Sequence, residues 1–285
     1  MLFVVDPVVI LLNLKFIGME FLILFFIFIL GSVVGSFLNV VIFRLGTEDK
    51  IVNSRSKCLA CSHQLAWYDL FPVFSFLSLG GKCRYCKIKI SWQYPLVEIV
   101  TGAFFVLLFV KNFTGYNPNL FSVIFYVLLV YIFSSLAVIF VYDLRHYIIP
   151  DEVIYPAIAI GFVFVLLSFY VGGYDAYYLA NHAISAAIAG GFFLFLVVVT
   201  KGKGMGGGDV KLGLLMGLVL GFPEIFLALF LSFVSGALVG VTLIIFGKKK
   251  MKSMVPFGPF LVFGFLVSYF WGAEIIAWYG EKFLF

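Results

Sequence analysis

The sequence predicts an all-α, polytopic membrane protein: a helical bundle of about eight transmembrane segments with one small polar insertion. Three observations predict it. Of 285 residues, 64% are hydrophobic and only 12% charged, where soluble domains carry about 45–50% and about 25%. Apolar runs of spanning length recur along the whole chain, each near the roughly 20 residues a membrane helix needs. All four cysteines fall in a single polar stretch, between positions 58 and 86. No soluble core buries this much apolar surface, so lipid is the solvent. Aromatics at 20%, with 37 Phe, suit lipid-facing helices.

The elements follow in order. Residues 1–16 are apolar but interrupted by Asp6, Pro7 and Asn13, which reads as an interfacial segment. The same interruptions argue against a cleavable signal peptide. The first spanning run lies near 17–43, and the polar insertion near 44–94. Further runs lie near 95–111, 120–142, 152–172, 178–200, 210–222, 224–246 and 255–279. The sixth segment is short and rich in glycine (Gly213, Gly217, Gly221). It reads as tilted, broken, or merged with its neighbour at Pro223. The resulting domain division is 1–43, 44–94 and 95–285.

Lys and Arg set the orientation. With 44–94 in the cytoplasm, 16 of the 19 basic residues share that side. Only Lys15, Lys111 and Lys282 remain opposite. The Lys248–Lys252 cluster reads as a stop-transfer signal. The chain is thus expected to be multi-pass in the cytoplasmic (inner) membrane, with membrane lipid as its surroundings. The net charge of +5 is modest and sorts by membrane side, so no nucleic-acid partner is expected.

Cys58-Leu-Ala-Cys61 and Cys83-Arg-Tyr-Cys86 are two C-x-x-C pairs. Four thiolates at about 2.3 Å from Zn²⁺ make a closed tetrahedral structural site. Disulfides rarely persist in the cytoplasm, so metal is favoured over redox chemistry. The insertion is then a zinc-binding one. About fifty residues form a marginal fold, and a metal would stabilise them. His63 reads as a surface residue, since four sulfurs complete the site.

Asp143 ends one predicted helix and Asp209 begins another, both at the cytoplasmic rim. An ionisable group in a membrane helix is a functional candidate. Taken singly, each Asp reads equally as a helix-end residue in the headgroup region. Two carboxylates brought close cannot both ionise easily, so the pair shares a proton. The charged one can activate water, and the protonated one can hydrogen-bond a scissile carbonyl. That chemistry is peptide hydrolysis. Gly206–Gly208 let a substrate backbone approach Asp209 and leave the loop mobile. Arg145 and Lys211 lie two residues from an Asp and do not face it. Asp151 reads as a helix N-cap. Glu98 reads as a lining residue of the same site or as part of an ion pair.

Several blocks carry a resemblance. Gly206-Gly-Gly208-Asp209 matches the Gly-x-Gly-Asp signature of intramembrane aspartyl proteases. Gly35-Ser-Phe-Leu-Asn39 through Arg44, the two cysteine pairs, Ile90-Ser-Trp-Gln-Tyr94 through Glu98, Asp143 with Ile149-Pro-Asp151, and Pro256-Phe-Gly-Pro259 follow in order. Together they resemble the bacterial type IV prepilin peptidases. The resemblance implies cleavage of the basic leader from type IV prepilins and pseudopilins, after a Gly, at the cytoplasmic membrane face. It implies that Asp143 and Asp209 are the catalytic pair. It also implies N-methylation of the new N-terminal residue with S-adenosylmethionine. Gly81 and Lys82 match positions linked to methylation in that family. The chain departs from the family pattern at Tyr142 and in lacking a Pro after Arg44-Leu45.

Two readings from other classes compete. A transporter would use Asp143 and Asp209 to couple a cation, but would place them near the midplane. A non-catalytic assembly factor held by the zinc module would tolerate loss of both.

Overall fold

The computed structural model describes residues 7–48, 50–52, 55–113, 119–202, 204–247 and 255–283, with side chains from Phe21 through Lys282. The Lys248–Lys252 cluster, Lys203 and residues 1–6 lie outside the described residues. Among those described there are nine α-helices and no strand. Seven helices are long and apolar enough to cross a membrane. The chain forms two compact units, Met1–Ser122 and Val123–Phe285.

In the first unit, α1 (Pro7–Arg44) packs along α3 (Gln93–Phe113). Of the segment over 1–16, the residues from Pro7 on are helical and continuous with the first spanning run. Proline suits a first helical turn, where its missing N–H costs nothing. Glycines bring the two helices together. A Cβ on Gly31 would lie 2.8 Å from the Gly102 Cα, and one on Gly35 2.8 Å from the Glu98 Cα. Small residues four apart let membrane helices approach to backbone contact, where dispersion rather than hydrophobicity holds them. Between these helices lie a 3-10 turn (Trp67–Leu70) and a short helix α2 (Phe74–Ser78).

The second unit holds α4 (Leu120–His146), α5 (Asp151–Val171), α6 (Ala176–Thr200), α7 (Gly207–Leu220), α8 (Glu224–Ile245) and α9 (Gly258–Phe283). Helix α7 is its centre. It touches α5, α6, α8 and α9, and Leu212, Leu215 and Met216 are fully buried. Its 14 residues span about 21 Å at 1.5 Å each, short of a bilayer core of about 30 Å. So the sixth segment is a separate, short, enclosed helix rather than part of α8. Its glycines have a packing cause: at Gly213 an added Cβ would strike Phe193, and at Gly217 it would strike the α6 backbone at Ser185 and Ala186. Gly221 (φ 72°) turns the chain out of α7. There Asn181 clasps Phe222, accepting from its N–H at 2.8 Å and donating to its carbonyl at 3.0 Å. On the other side, Phe133 of α4 meets Phe265, Tyr269 and Phe270 of α9 edge to face.

Candidate active site and metal centre

Asp143 lies in the last turn of α4 and is 5% exposed; Asp209 lies in the first turn of α7 and is 8% exposed. Each carboxylate meets a backbone N–H at a helix start. Gly258, first residue of α9, donates to Asp143 Oδ2 at 2.9 Å. Gly206, the N-cap of α7, donates to Asp209 Oδ2 at 3.1 Å. Helix N-termini favour negative charge there. Burial and mutual repulsion oppose it, and the charge of Asp143 acts on Asp209.

The surrounding residues set the geometry. A Cβ on Gly208 would sit 2.8 Å from the Ile149 Cβ. Gly208 is therefore small because the Ile149 loop presses on it. A Cβ on Gly207 would meet nothing within 4 Å, so this position offers the most room of the three for another backbone. Asp151 is the first residue of α5, with Pro150 as N-cap and no side-chain cap. The expected N-capping role does not hold: Asp151 Oδ1 instead takes Lys211 Nζ at 2.6 Å, joining α5 to α7. Lys211 also lies over the Tyr155 ring at 4.6 Å. The i to i+2 argument against a Lys211–Asp209 pair was sound.

Gly258 was not legible as a functional residue. It stood in the Pro256–Pro259 block, but nothing in that tetrapeptide says its N–H reaches a side chain 115 positions away. Glu98 belongs to the first unit and forms no ion pair with a described cation. Its Oε2 accepts the Val73 N–H at 2.7 Å in the first unit. Val73 has φ 60°, an uncommon conformation for a β-branched residue, and that bond fixes it.

In the first unit the four sulfurs of Cys58, Cys61, Cys83 and Cys86 gather within 4.8 Å of one another. Cys58 and Cys86 Sγ are 3.9 Å apart. Four sulfurs tetrahedral about Zn²⁺ at about 2.3 Å stand about 3.8 Å apart, so the cluster fits zinc with a small contraction. The two pairs are built alike. Cys58 N donates to His63 O at 2.9 Å, and Cys83 N to Ile88 O at 2.8 Å. The residue after each second cysteine, Ser62 or Lys87, has φ near 60°. Isolated bridges Lys57–Gln64 and Lys82–Lys89 close the two turns. The thiols differ in acidity. The Cys61 N–H leads in drawing Cys58 down to about 7, against partial desolvation. At Cys86 the Ile88 N–H favours the thiolate, but desolvation and the neighbouring thiols outweigh it and push the group up to about 11. His63 is exposed and stacks on Tyr85 at 3.7 Å, outside the sulfur cluster.

Asp69 braces the second turn. It accepts from Arg84 Nε at 2.7 Å, Tyr85 Oη at 3.0 Å and Ala66 N at 3.2 Å. Desolvation pushes its carboxyl up, and these three donors hold it below its ordinary value all the same. The span Arg84–Tyr85 lies between Cys83 and Cys86, so Asp69 fixes the spacing of these two thiols from outside the cluster.

Gly81 and Lys82 border a cavity of about 410 Å³ with Phe76, Leu77, Lys89 and Trp92. The Phe76 and Trp92 rings meet at 4.9 Å. Gly81 has φ 68°, and a Cβ there would press on Phe76 at 3.1 Å. The residue must therefore be glycine on both counts.

Two buried carboxyls at helix ends inside an apolar bundle, the charge of one felt by the other, are an arrangement suited to an intramembrane aspartic peptidase. Residues 129–241 match the type IV leader peptidase family, and residues 29–112 match the bacterial peptidase A24 N-terminal domain. The prepilin leader peptidase/N-methyltransferase of Bacillus subtilis is 30% identical, covering 89% of this chain and 96% of its own. That of Pseudomonas putida is 33% identical, over 87% and 91%. That of Aeromonas hydrophila is 30% identical, over 94% and 97%. The chain belongs to the type IV leader peptidase family and is a multi-pass membrane protein. The transporter reading finds no support among these relatives. No solved structure matches the chain.

Proposed function

We propose that Asp143 and Asp209 are the acid and base of a prepilin leader peptidase. The substrates are type IV prepilins or pseudopilins, cut after a Gly at the cytoplasmic face of the inner membrane. One observation carries the assignment: two buried carboxyls, on α4 and α7, each tied to a helix-start N–H, with the charge of Asp143 felt at Asp209. The ionised carboxyl takes a proton from water, and the resulting hydroxide adds to the scissile carbonyl carbon. The protonated carboxyl donates to the carbonyl oxygen as charge develops there. When the C–N bond breaks, a proton passes to the leaving amine. The leader departs with a new carboxylate, and the mature pilin with a new N-terminal amine. Basic loops support the cytoplasmic orientation.

The relatives' shared name supports a second step, N-methylation of that amine. Bound S-adenosylmethionine would supply the methyl group as an electrophile. In this proposal Gly81 and Lys82 border its pocket. The Phe76 and Trp92 rings offer a face for a flat purine, and Lys82 and Lys89 offer charge for its carboxylate. The four cysteines would hold Zn²⁺ as a structural ion.

The test uses the full chain in membranes with a purified prepilin. Asp143→Asn and Asp209→Asn should each abolish leader removal. Uncleaved prepilin at the mobility of the untreated substrate is expected from both, and cleavage at the wild-type rate by either variant defeats the assignment. Mass spectrometry of the wild-type product reports methylation separately.

A further inference from the structure

We infer that the face formed by the 3-10 turn and α2 of the cysteine module lies on the membrane itself, its aromatic side chains seated at the boundary between headgroups and acyl chains. The inference goes beyond the catalytic reading and does not rest on it.

The module carries a face unlike that of a water-facing domain. Trp67 is 74% exposed, Phe74 72% and Leu77 64%, with Phe71 and Trp92 exposed beside them. Trp67 and Phe71 touch edge to face at 5.7 Å, and Leu77 and Trp92 border the same cavity. Contiguous exposed apolar groups of this size mark a contact surface. Three features of the first unit name lipid as its occupant.

Continuity with the spanning helices comes first. The Val73 N–H is held by Glu98 of α3 at 2.7 Å, and α2 begins at the next residue. Asn39 of α1 donates to Tyr94 O at 3.1 Å, and Phe43 stacks on Tyr94 at 5.0 Å. The apolar face is thereby anchored at the ends of α1 and α3 from which the module emerges, which is headgroup depth. Residue type comes second. Trp concentrates where one end of a side chain is wet and the other apolar, and Phe and Leu make up the apolar face of segments that lie in the interface. Charge comes third. Over residues 45–92 seven Lys or Arg (50, 55, 57, 82, 84, 87, 89) stand against three acids (48, 49, 69). Basic groups beside apolar anchors suit an anionic lipid surface.

The test uses the full-length protein in phosphatidylcholine–phosphatidylglycerol vesicles. A variant with Trp92→Phe, Trp271→Phe and Trp278→Phe leaves Trp67 as the reporter. Lipids brominated near the headgroup end of the acyl chain should cut its emission about twofold, and acrylamide should quench it weakly. Adding Phe74→Asp and Leu77→Asp should reverse both. In the unmodified protein, a diazirine on the acyl chain should label the peptide covering residues 67–77. Full acrylamide quenching without a bromolipid effect overturns the inference. So does an absence of label there while peptides of α3 and α4 are labelled. Shielding of Trp67 that appears only after prepilin is added assigns the face to substrate and overturns it equally.

Discussion

Replacing Gly258 with Ala should separate activity from stability. A Cβ at that position would lie 2.6 Å from Asp143 Oδ2 and 3.2 Å from its Cγ. Ordinary contact begins near 3.4 Å, so the oxygen must retreat by 3.4 − 2.6, about 0.8 Å. The Gly258 N–H lies off that line, so retreat along it lengthens the 2.9 Å bond only to about 3.4 Å, a weakened hydrogen bond. The group that moves is the free end of a short side chain, so the fold loses little. The strained bond gives up part of the about 1.5–3 kcal/mol that such a bond to a charged group is worth. Displacement of a reacting group by about 1 Å can cost about 100-fold in rate. Prepilin cleavage should therefore fall about 100-fold in kcat/KM, with Tm nearly unchanged. Gly264→Ala is the control. Its Cβ would strike the Ala228 carbonyl of α8, which is backbone and cannot step aside. That variant should lose Tm first. Gly258→Ala with cleavage within about threefold of wild type and unchanged Tm would refute the view that this N–H positions Asp143.

Three further outcomes are expected. Cys58→Ser combined with Cys83→Ser takes one ligand from each turn, so zinc stoichiometry should fall toward zero; undiminished metal would rule out the ligand assignment. Gly35→Leu forces α1 off α3 at Glu98 and should cost at least about 1–3 kcal/mol, read as a lower Tm in detergent. Lys211→Asp and Asp151→Lys should each lower cleavage and the double swap should restore it, with stability changes below about 1 kcal/mol because the pair is partly exposed. A swap no better than either single variant would show that the charges act separately.

Spanning segments were legible because lipid imposes a length and a composition on every one of them. The metal centre was legible because its ligands are neighbours in sequence and chemistry fixes their spacing. Asp143 and Asp209 were legible as carboxyls at helix ends, and the structure buries both there. What orients them was not. The donor to Asp143 is a backbone N–H in another helix, and a backbone group has no letter in a sequence. Asp151 shows the complementary failure. A local rule made it a cap, but Lys211, sixty residues away, offers a full charge where a cap offers a dipole, and the ion pair prevails. Gly206–Gly208 were assigned one shared purpose, and the structure divides it: Gly206 gives an N–H, Gly207 leaves space, and Gly208 yields to Ile149.

This division has a mechanistic consequence. A peptidase buried among helices must admit an extended backbone without loosening the carboxyls that cut it. Here the open position, Gly207, stands between two residues that cannot easily move. Gly206 is bound to Asp209, and Gly208 is pressed by the loop that follows Asp143's helix. On the proposed function, substrate would find its room chiefly at Gly207, while Gly206 holds Asp209 and Gly208 abuts Ile149. A side chain at 207 should block peptide entry and leave Asp209 in place. Gly207→Val is accordingly expected to raise KM far more than it lowers kcat. Equal losses in both would mean that the α7 entrance shifts as one body when substrate arrives.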